Sequence, residues 1–155
     1  MAIQYGASTS ITITAGSLLS TNARASTSVT SGTTNNTADY LVQVSVLAPA
    51  SVSGNKQVVV YGYMSTDGGT TYTGNSATAD NITGSDAAAV IGSPTNLFFM
   101  GTVQLNTVSV TATEQFSIAS TFGAIPPIWG IVLYNDCGST LGATVTAKYR
   151  EIYYT

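Results

Sequence analysis

The sequence lacks most of the side chains with which enzymes carry out acid–base and nucleophilic chemistry. Its 155 residues include no histidine, one cysteine, four lysines and arginines, and seven aspartates and glutamates. Charged residues make up 7% of the chain, against about 25% in an ordinary soluble domain. Histidine, lysine, glutamate and cysteine supply most general acids, bases and nucleophiles. We therefore expect a protein that is not an enzyme, and the lone Cys137 has no histidine to activate it.

The small number of cations also argues against nucleic acid as a partner. Arg24, Lys56, Lys148 and Arg150 are too few to follow a phosphate backbone, and the net charge is −3. No apolar run approaches the ~18 residues of a membrane span, so we expect no membrane partner. The N-terminus has neither the basic nor the apolar region of a signal peptide. Together with the single cysteine, this predicts assembly in a reducing cytoplasm.

Apolar residues recur with a period of two, which is typical of β-strands with one buried face. Val42, Val44 and Val46 fall on one face of segment 41–47, and segment 57–65 alternates in the same way. Further strands are predicted over residues 11–14, 97–103, 108–112, 115–120, 128–135 and 143–152. Turn residues separate these segments. About eight such strands in one domain predict an all-β fold, an antiparallel β-sandwich, with a jelly roll as the favoured topology.

One stretch has helical character. Asp86 is a suitable N-cap, and three alanines follow it in segment 86–91. Because Gly92 and Pro94 come directly afterwards, we expect little more than a single helical turn here.

The first 38 residues differ from the rest, because Ser, Thr, Asn, Ala and Gly dominate them. Such a segment buries too little apolar surface to fold alone. We therefore divide the chain into an extended N-terminal arm, residues 1–38, and a β-sandwich domain, residues 39–155. The arm would take its order from a neighbouring subunit; the alternatives are a floppy N-terminus or an edge strand of the same domain. The candidate assembly contacts in the arm are Ile11, Ile13, Leu18, Leu19 and Arg24.

A turn motif lies directly after segment 57–65. Residues 65–72 fit the Asp-box pattern S-x-D-x-G-x-T-W, with tyrosine in the tryptophan position. The motif resembles the hairpin turns of sialidase-like propellers, where it recurs in successive blades and lies away from the active site. Here it occurs once, so it predicts a structural hairpin held by side-chain-to-backbone hydrogen bonds. The residues of the motif are Ser65, Asp67, Gly69, Thr71 and Tyr72.

Two ligand sites are alternatives to purely structural roles. Asp67, Asp80, Asp86 and Asp136 lie in turns, where aspartate is common; a calcium site is the alternative, without EF-hand spacing to support it. We predict no metal and no cofactor. Aromatic residues in strands more often pack in a core than bind ligand, yet they can form a sugar-stacking platform. The aromatics that form the candidate platform are Tyr61, Tyr63, Tyr72, Trp129, Tyr134, Tyr149, Tyr153 and Tyr154.

A pattern of order and spacing extends over nearly the whole chain. Its segments are Gly16–Leu19, Arg24–Ser26, the turn at 65–72, Phe116–Ser120, Phe122–Gly123, Pro126, Trp129–Val132, Asn135, Gly138, Leu141, Tyr149 and Ile152–Tyr153. Together these segments resemble a family of small tailed-bacteriophage virion proteins. Members of this kind are similar to head decoration (cement) proteins with β-sandwich or jelly-roll folds.

The resemblance implies a structural protein located in the virion and assembled in the host cytoplasm. It implies the major capsid protein or other virion proteins as partners, and a homo-oligomer, with a trimer favoured. Such a protein would stabilise the head lattice by apolar and hydroxyl-rich contacts that the lattice symmetry multiplies. The alternative is a tail or fibre-associated protein that binds a host-surface glycan.

Overall fold

A computed structural model describes residues 1–32, 36–74 and 81–155 of the chain. The described residues form short and long β-strands with one short helix, so the predicted all-β class is confirmed. The strands are β1 (Ile3–Tyr5), β2 (Thr9–Ile11), β3 (Ala23–Ala25), β4 (Val29–Thr30), β5 (Asn36–Leu47), β6 (Gln57–Ser65), β7 (Ala87–Ala89), β8 (Phe98–Gln104), β9 (Thr111–Ser117), β10 (Ile128–Asp136) and β11 (Val145–Tyr154), and the helix is α1 (Ile118–Phe122).

The strands form two antiparallel sheets. Sheet A has the order β1-β11-β5-β9, and β2 pairs with β11 on the same side as β1. Sheet B has the order β7-β3-β10-β6-β8, and β4 continues along β10 beside β3. The chain passes repeatedly between the sheets: β5 lies in sheet A, β6 and β8 in sheet B, β9 in A, β10 in B and β11 in A. Strands that are neighbours in a sheet are therefore mostly distant in sequence.

The main core lies between the inner faces of the two sheets. Val42, Val44 and Val46 of β5 are fully buried and share one apolar cluster with Ile131 and Leu133 of β10. This confirms the alternation predicted for segment 41–47. Burial of each such side chain stabilises the fold by about 1.5–3 kcal/mol relative to leaving it exposed.

A second core covers the outer face of sheet B. Tyr63 of β6 and Val132 of β10 point away from the main core, and Ile82 and Leu97 from the connection between β6 and β8 bury them. Both faces of β6 are thus covered, which explains why its sequence is apolar at almost every position.

The predicted N-terminal arm is not confirmed, because residues 3–30 contribute β1 to β4 to the two sheets of their own chain. Ile11 and Ile13 are 5% and 8% exposed and belong to the main core. The residues that alternate with them are hydroxyl-bearing and exposed. A strand with one solvated face needs only every second residue to be apolar, so a composition rich in Ser and Thr is compatible with a strand. The predicted boundary at residue 38 falls within β5.

Three local predictions differ from the structure. The strand predicted over 11–14 shares only Ile11 with β2. Segment 86–91 contains a strand rather than a helical turn, because residues 87–89 form β7 and pair with β3. Segments 108–112 and 115–120, predicted as two strands, give the single strand β9 followed by α1. Ser117 caps that helix by accepting a hydrogen bond from Ser120 N (2.9 Å), and Gly123 ends it in the left-handed conformation.

No helix among the described residues is long and apolar enough to cross a membrane.

Candidate functional site

The turn after β6 is held by one carboxylate. Asp67 Oδ1 accepts hydrogen bonds from the backbone amides of Thr70 (3.1 Å) and Thr71 (2.9 Å) and from Ser65 Oγ (2.8 Å). Asp67 Oδ2 accepts from Thr71 Oγ1 (2.6 Å). The hydroxyl and then the amide of Thr71 contribute most to lowering the pKa of Asp67, to about 2. All four bonds come from residues 65–71 of the turn itself, so the carboxylate is engaged in holding the turn.

The remaining motif residues close the turn and attach it to the fold. Gly69 has a φ of 87°, a conformation that favours glycine, and its amide donates to Ser65 Oγ (3.0 Å). The Tyr72 ring packs edge-on against Tyr63, with ring centroids 5.6 Å apart. Burial raises the pKa of Tyr63, whose hydroxyl donates to Ser26 O (2.7 Å). The geometry is that of a structural hairpin docked on the second core.

A second aspartate joins three parts of the chain. Asp86, just before β7, forms an ion pair with Arg24 of β3, with Nε and Oδ1 2.6 Å apart. It also accepts from the amide (3.0 Å) and the hydroxyl (2.5 Å) of Thr14. Burial raises the pKa of Asp86, but the hydrogen bonds from Arg24 and Thr14 and the charge of Arg24 outweigh it and bring the pKa to about 2. Arg24, predicted as an assembly contact, is therefore engaged within its own chain.

The other predicted assembly contacts divide between core and surface. Ile11 and Ile13 lie in the main core, and Leu18 packs against it. Leu19 is 58% exposed. Ile11 and Ile13 are thus buried within their own chain, Leu18 is partly buried there, and Leu19 is exposed.

The carboxylates do not converge on one site. Glu114 of β9 and Glu151 of β11 lie on opposite sides of β5, opposite Val44 and Tyr40 respectively. Asp80 lies outside the described residues. In the part of the chain that the structure describes, no group of three or more Asp, Glu and Cys side chains is placed to hold a metal ion.

The predicted aromatic platform is not formed as one surface. Trp129 and Tyr63 are fully buried. The rings of Trp129, Tyr40 and Tyr149 pack against one another, with centroid distances of 5.5 Å (Tyr40–Trp129), 5.6 Å (Trp129–Tyr149) and 5.8 Å (Tyr40–Tyr149). Trp129 belongs to the main core and Tyr63 to the second core, so neither presents a ring face to a sugar.

A different set of side chains forms a groove on the outer face of sheet A. Ala147 and Tyr149 of β11 point into the core, so Lys148 and Arg150, which alternate with them, point outward. Strand register places Gln43 of β5 opposite Lys148. The groove has a volume of about 480 Å³. We call it the sheet A groove, and the residues that define it are Tyr5, Ser8, Gln43, Gln115, Lys148 and Arg150.

The sheet A groove combines charge, amides and an exposed ring. Lys148, Arg150 and Gln115 are exposed, and Tyr5 is 60% exposed. Gln115 Nε2 donates to Gln43 Oε1 over 3.5 Å, a weak contact. Such a lining offers positive charge, hydrogen-bond donors and acceptors, and one ring face.

Sequence reasoning missed the sheet A groove, although one of its signals is visible in the sequence. The predicted strand 143–152 already places Lys148 and Arg150 on one face. The contributions of Tyr5 from β1 and Gln115 from β9 depend on strand order, which no local pattern encodes.

The fold and these sites define the protein as a two-sheet, all-β domain with a polar, cationic groove on one sheet. No protein-family model matches the chain, and no curated protein and no solved structure matches it.

Proposed function

We propose that the protein is a structural virion protein of a tailed bacteriophage, a capsid decoration protein that stabilises the head lattice, and that its sandwich is a jelly roll. The observation that carries the proposal is the strand order. When β2, β3, β5, β6, β8, β9, β10 and β11 are numbered 1 to 8, sheet A reads 1-8-3-6 and sheet B reads 2-7-4-5. First and last strands pair, as do 2 with 7, 3 with 6 and 4 with 5. Jelly rolls of eight strands recur in viral capsid and lectin domains.

The surface chemistry supports attachment through neutral contacts. Large apolar side chains are exposed at several places. The exposed side chains include Leu19, Val90, Phe99, Val108 and Val110. Scattered apolar residues are ordinary on a monomer, but the same contact repeated over a lattice adds up to stable attachment. The partner is the major capsid protein or another virion protein, and the family resemblance favours a trimer.

Particle reconstitution tests this proposal. Purified protein is added to phage heads that lack it, and occupancy is measured by electron microscopy of the heads together with their resistance to heat. We expect saturable binding at symmetry-related positions and heads that survive a higher temperature. Heads that bind no protein, or protein found at the tail alone, would show that the decoration role is wrong.

The alternative is a tail or fibre-associated protein that binds a host-surface glycan. The sheet A groove is the observation that favours it. The reconstitution experiment distinguishes the two locations, because a tail protein binds at one end of the particle and leaves the head lattice unoccupied.

A further inference from the structure

We propose that the sheet A groove binds a carbohydrate that carries a carboxylate, such as a glycan containing a uronic acid or a sialic acid. The inference goes beyond lattice stabilisation and does not depend on it. It rests on the placement of cations, amides and an exposed aromatic ring in one groove of about 480 Å³, a volume within the range of about 300–1,000 Å³ common for ligand clefts.

The two cationic side chains of the groove, Lys148 and Arg150, indicate that the ligand is negatively charged. Lys148 and Arg150 are two residues apart on one face of β11, so their Cα atoms are separated by roughly 7 Å. Neither takes part in an ion pair within the part of the chain that the structure describes, where Arg24 pairs with Asp86. Asp39 lies on the same face, two residues before Leu41; its Oδ1 accepts from the amides of Tyr40 (2.7 Å) and Ala119 (2.8 Å), and it forms no ion pair with Lys148 or Arg150 among the described residues. On a chain of net charge −3, this local positive charge selects an anion.

The geometry of the cations suits a carboxylate. The Arg150 guanidinium presents a planar set of donors that matches two carboxylate oxygens, and Lys148 adds a mobile point charge beside it. A groove with both side chains binds a carboxylate by charge-assisted hydrogen bonds from one side.

The other lining residues suit sugar hydroxyls and a sugar ring. Gln43 and Gln115 each carry a carbonyl oxygen and an NH2 group, and the weak contact between them leaves donors and acceptors facing the groove. Ser8 adds a hydroxyl. The exposed Tyr5 ring offers an apolar face with a polar tip, a combination enriched where a ligand is partly apolar and partly hydrated.

The strand pairing argues against an acidic peptide as the occupant. Extended peptides gain much of their affinity by adding a strand to an open sheet edge. In the groove, β11 pairs with β5 on one side and with β1 and β2 on the other, and β5 pairs with β11 and β9. The backbone groups of both strands are therefore already used, and the ligand must be recognised by side chains.

Titration of the full-length protein tests the proposal. The probes are trigalacturonic acid, the neutral galactotriose of the same length, and a hexaglutamate peptide, each followed by calorimetry and by amide chemical shifts. We expect trigalacturonic acid to bind at least tenfold more tightly than either other probe. The shifted amides should include those of residues 43, 115, 148 and 150, which locates the site without any variant.

Variants then assign the roles. Lys148→Gln combined with Arg150→Gln should weaken trigalacturonic acid at least tenfold, and Tyr5→Ala should weaken it several-fold. Matched controls are Lys56→Gln, a cation outside the groove, and Phe99→Ala, an exposed aromatic on β8; both should leave binding unchanged. Binding of hexaglutamate equal to that of trigalacturonic acid, shifts confined to residues outside the groove, or no binding by any probe would each overturn the proposal.

Discussion

Two aspartates hold separate parts of this sparsely charged protein together through hydrogen bonds and one ion pair. Asp67 closes the turn after β6, and Asp86 ties Thr14 and Arg24 together. The pKa of each is about 2. In both cases hydrogen-bond donors surround the ionised form, so the carboxylates stabilise the fold only while they are charged.

Replacement of Asp86 should destabilise the protein in a pH-dependent way. The pKa of Asp86 falls from the ordinary 3.8 to about 2 on folding, so the unfolded chain takes up the proton first. Its stabilising effect is therefore present above about pH 4 and is lost as the pH falls towards 2. We expect Asp86→Asn to lower stability at pH 7 by about 1–2 kcal/mol, after allowance for solvent screening.

Thermal melts between pH 2 and pH 7 measure this effect. At pH 7 the melting temperature of Asp86→Asn should fall by about 2–8 °C, and the difference from the parent protein should shrink as the pH approaches 2. Glu114→Gln, which neutralises an exposed carboxylate on β9, is the matched control and should behave like the parent. A constant difference at every pH would contradict the assignment.

Strands β10 and β6 approach so closely at Gly130 that adding one methyl group there should lower the free energy of unfolding substantially. Gly130 of β10 lies directly opposite Tyr63 of β6, and a Cβ at position 130 would overlap the buried Tyr63 ring. We expect Gly130→Ala to destabilise the fold by about 1–3 kcal/mol, because the ring cannot move without breaking its bond to Ser26 O.

Urea unfolding of Gly130→Ala and of Gly6→Ala tests the steric argument. At Gly6 an added Cβ would meet its nearest atom, Glu151 Cβ, at an ordinary 3.4 Å, so that variant should match the parent. If both variants unfold at the same urea concentration, overlap between a Cβ at position 130 and the Tyr63 ring does not destabilise the fold.

At the scale of elements, long strands were predictable and short ones were not. The strand predicted over 57–65 agrees with β6 residue for residue, because its apolar run is bounded by clear turns. The N-cap and the three alanines of segment 86–91 predict a helical turn, yet residues 87–89 pair with β3 in a sheet. The N-terminal segment was predicted as an arm because few of its residues are apolar, whereas the position of Ile11 and Ile13 in an alternating pattern decides their burial.

Truncation distinguishes the exposed first strand from the strands behind it. Deleting residues 1–7 removes β1, whose three residues are all exposed, and should lower stability by no more than about 1–2 kcal/mol. Deleting residues 1–38 also removes Ile11, Ile13, Ala15 and Val29 from the main core. Since each large buried aliphatic contributes about 2–5 kcal/mol and a whole domain is stable by about 5–15 kcal/mol, this variant should be unfolded.

Far-UV circular dichroism and the dispersion of amide resonances measure both truncations. If fragment 39–155 is folded and soluble, the prediction of a separate N-terminal arm is supported, and the N-terminal strands contribute little to the stability of the sandwich.

At the scale of the whole molecule, the topology explains why the candidate site could be predicted only in part. Lys148 and Arg150 share a face by strand alternation alone. Tyr5 and Gln115 reach the same groove because β11 lies between β1 and β5, and β5 lies between β11 and β9. That order follows from the chain passing between two sheets, a long-range property that residues near 150 do not encode.

The last prediction concerns attachment to the particle. With four Lys and Arg and seven Asp and Glu residues in 155, the surface has few charges to pair with a lattice, and exposed pairs contribute only about 0–1 kcal/mol each. Lattice attachment should rest on apolar burial and neutral hydrogen bonds. Raising the salt concentration from 0.1 to 1 M shortens the Debye length from about 10 to about 3 Å.

We expect the occupancy of the heads, measured by sedimentation and gel densitometry, to stay unchanged at 1 M salt. Binding of trigalacturonic acid to the sheet A groove should weaken severalfold over the same range. Loss of the protein from intact heads at high salt would show that charge, not neutral burial, holds it there.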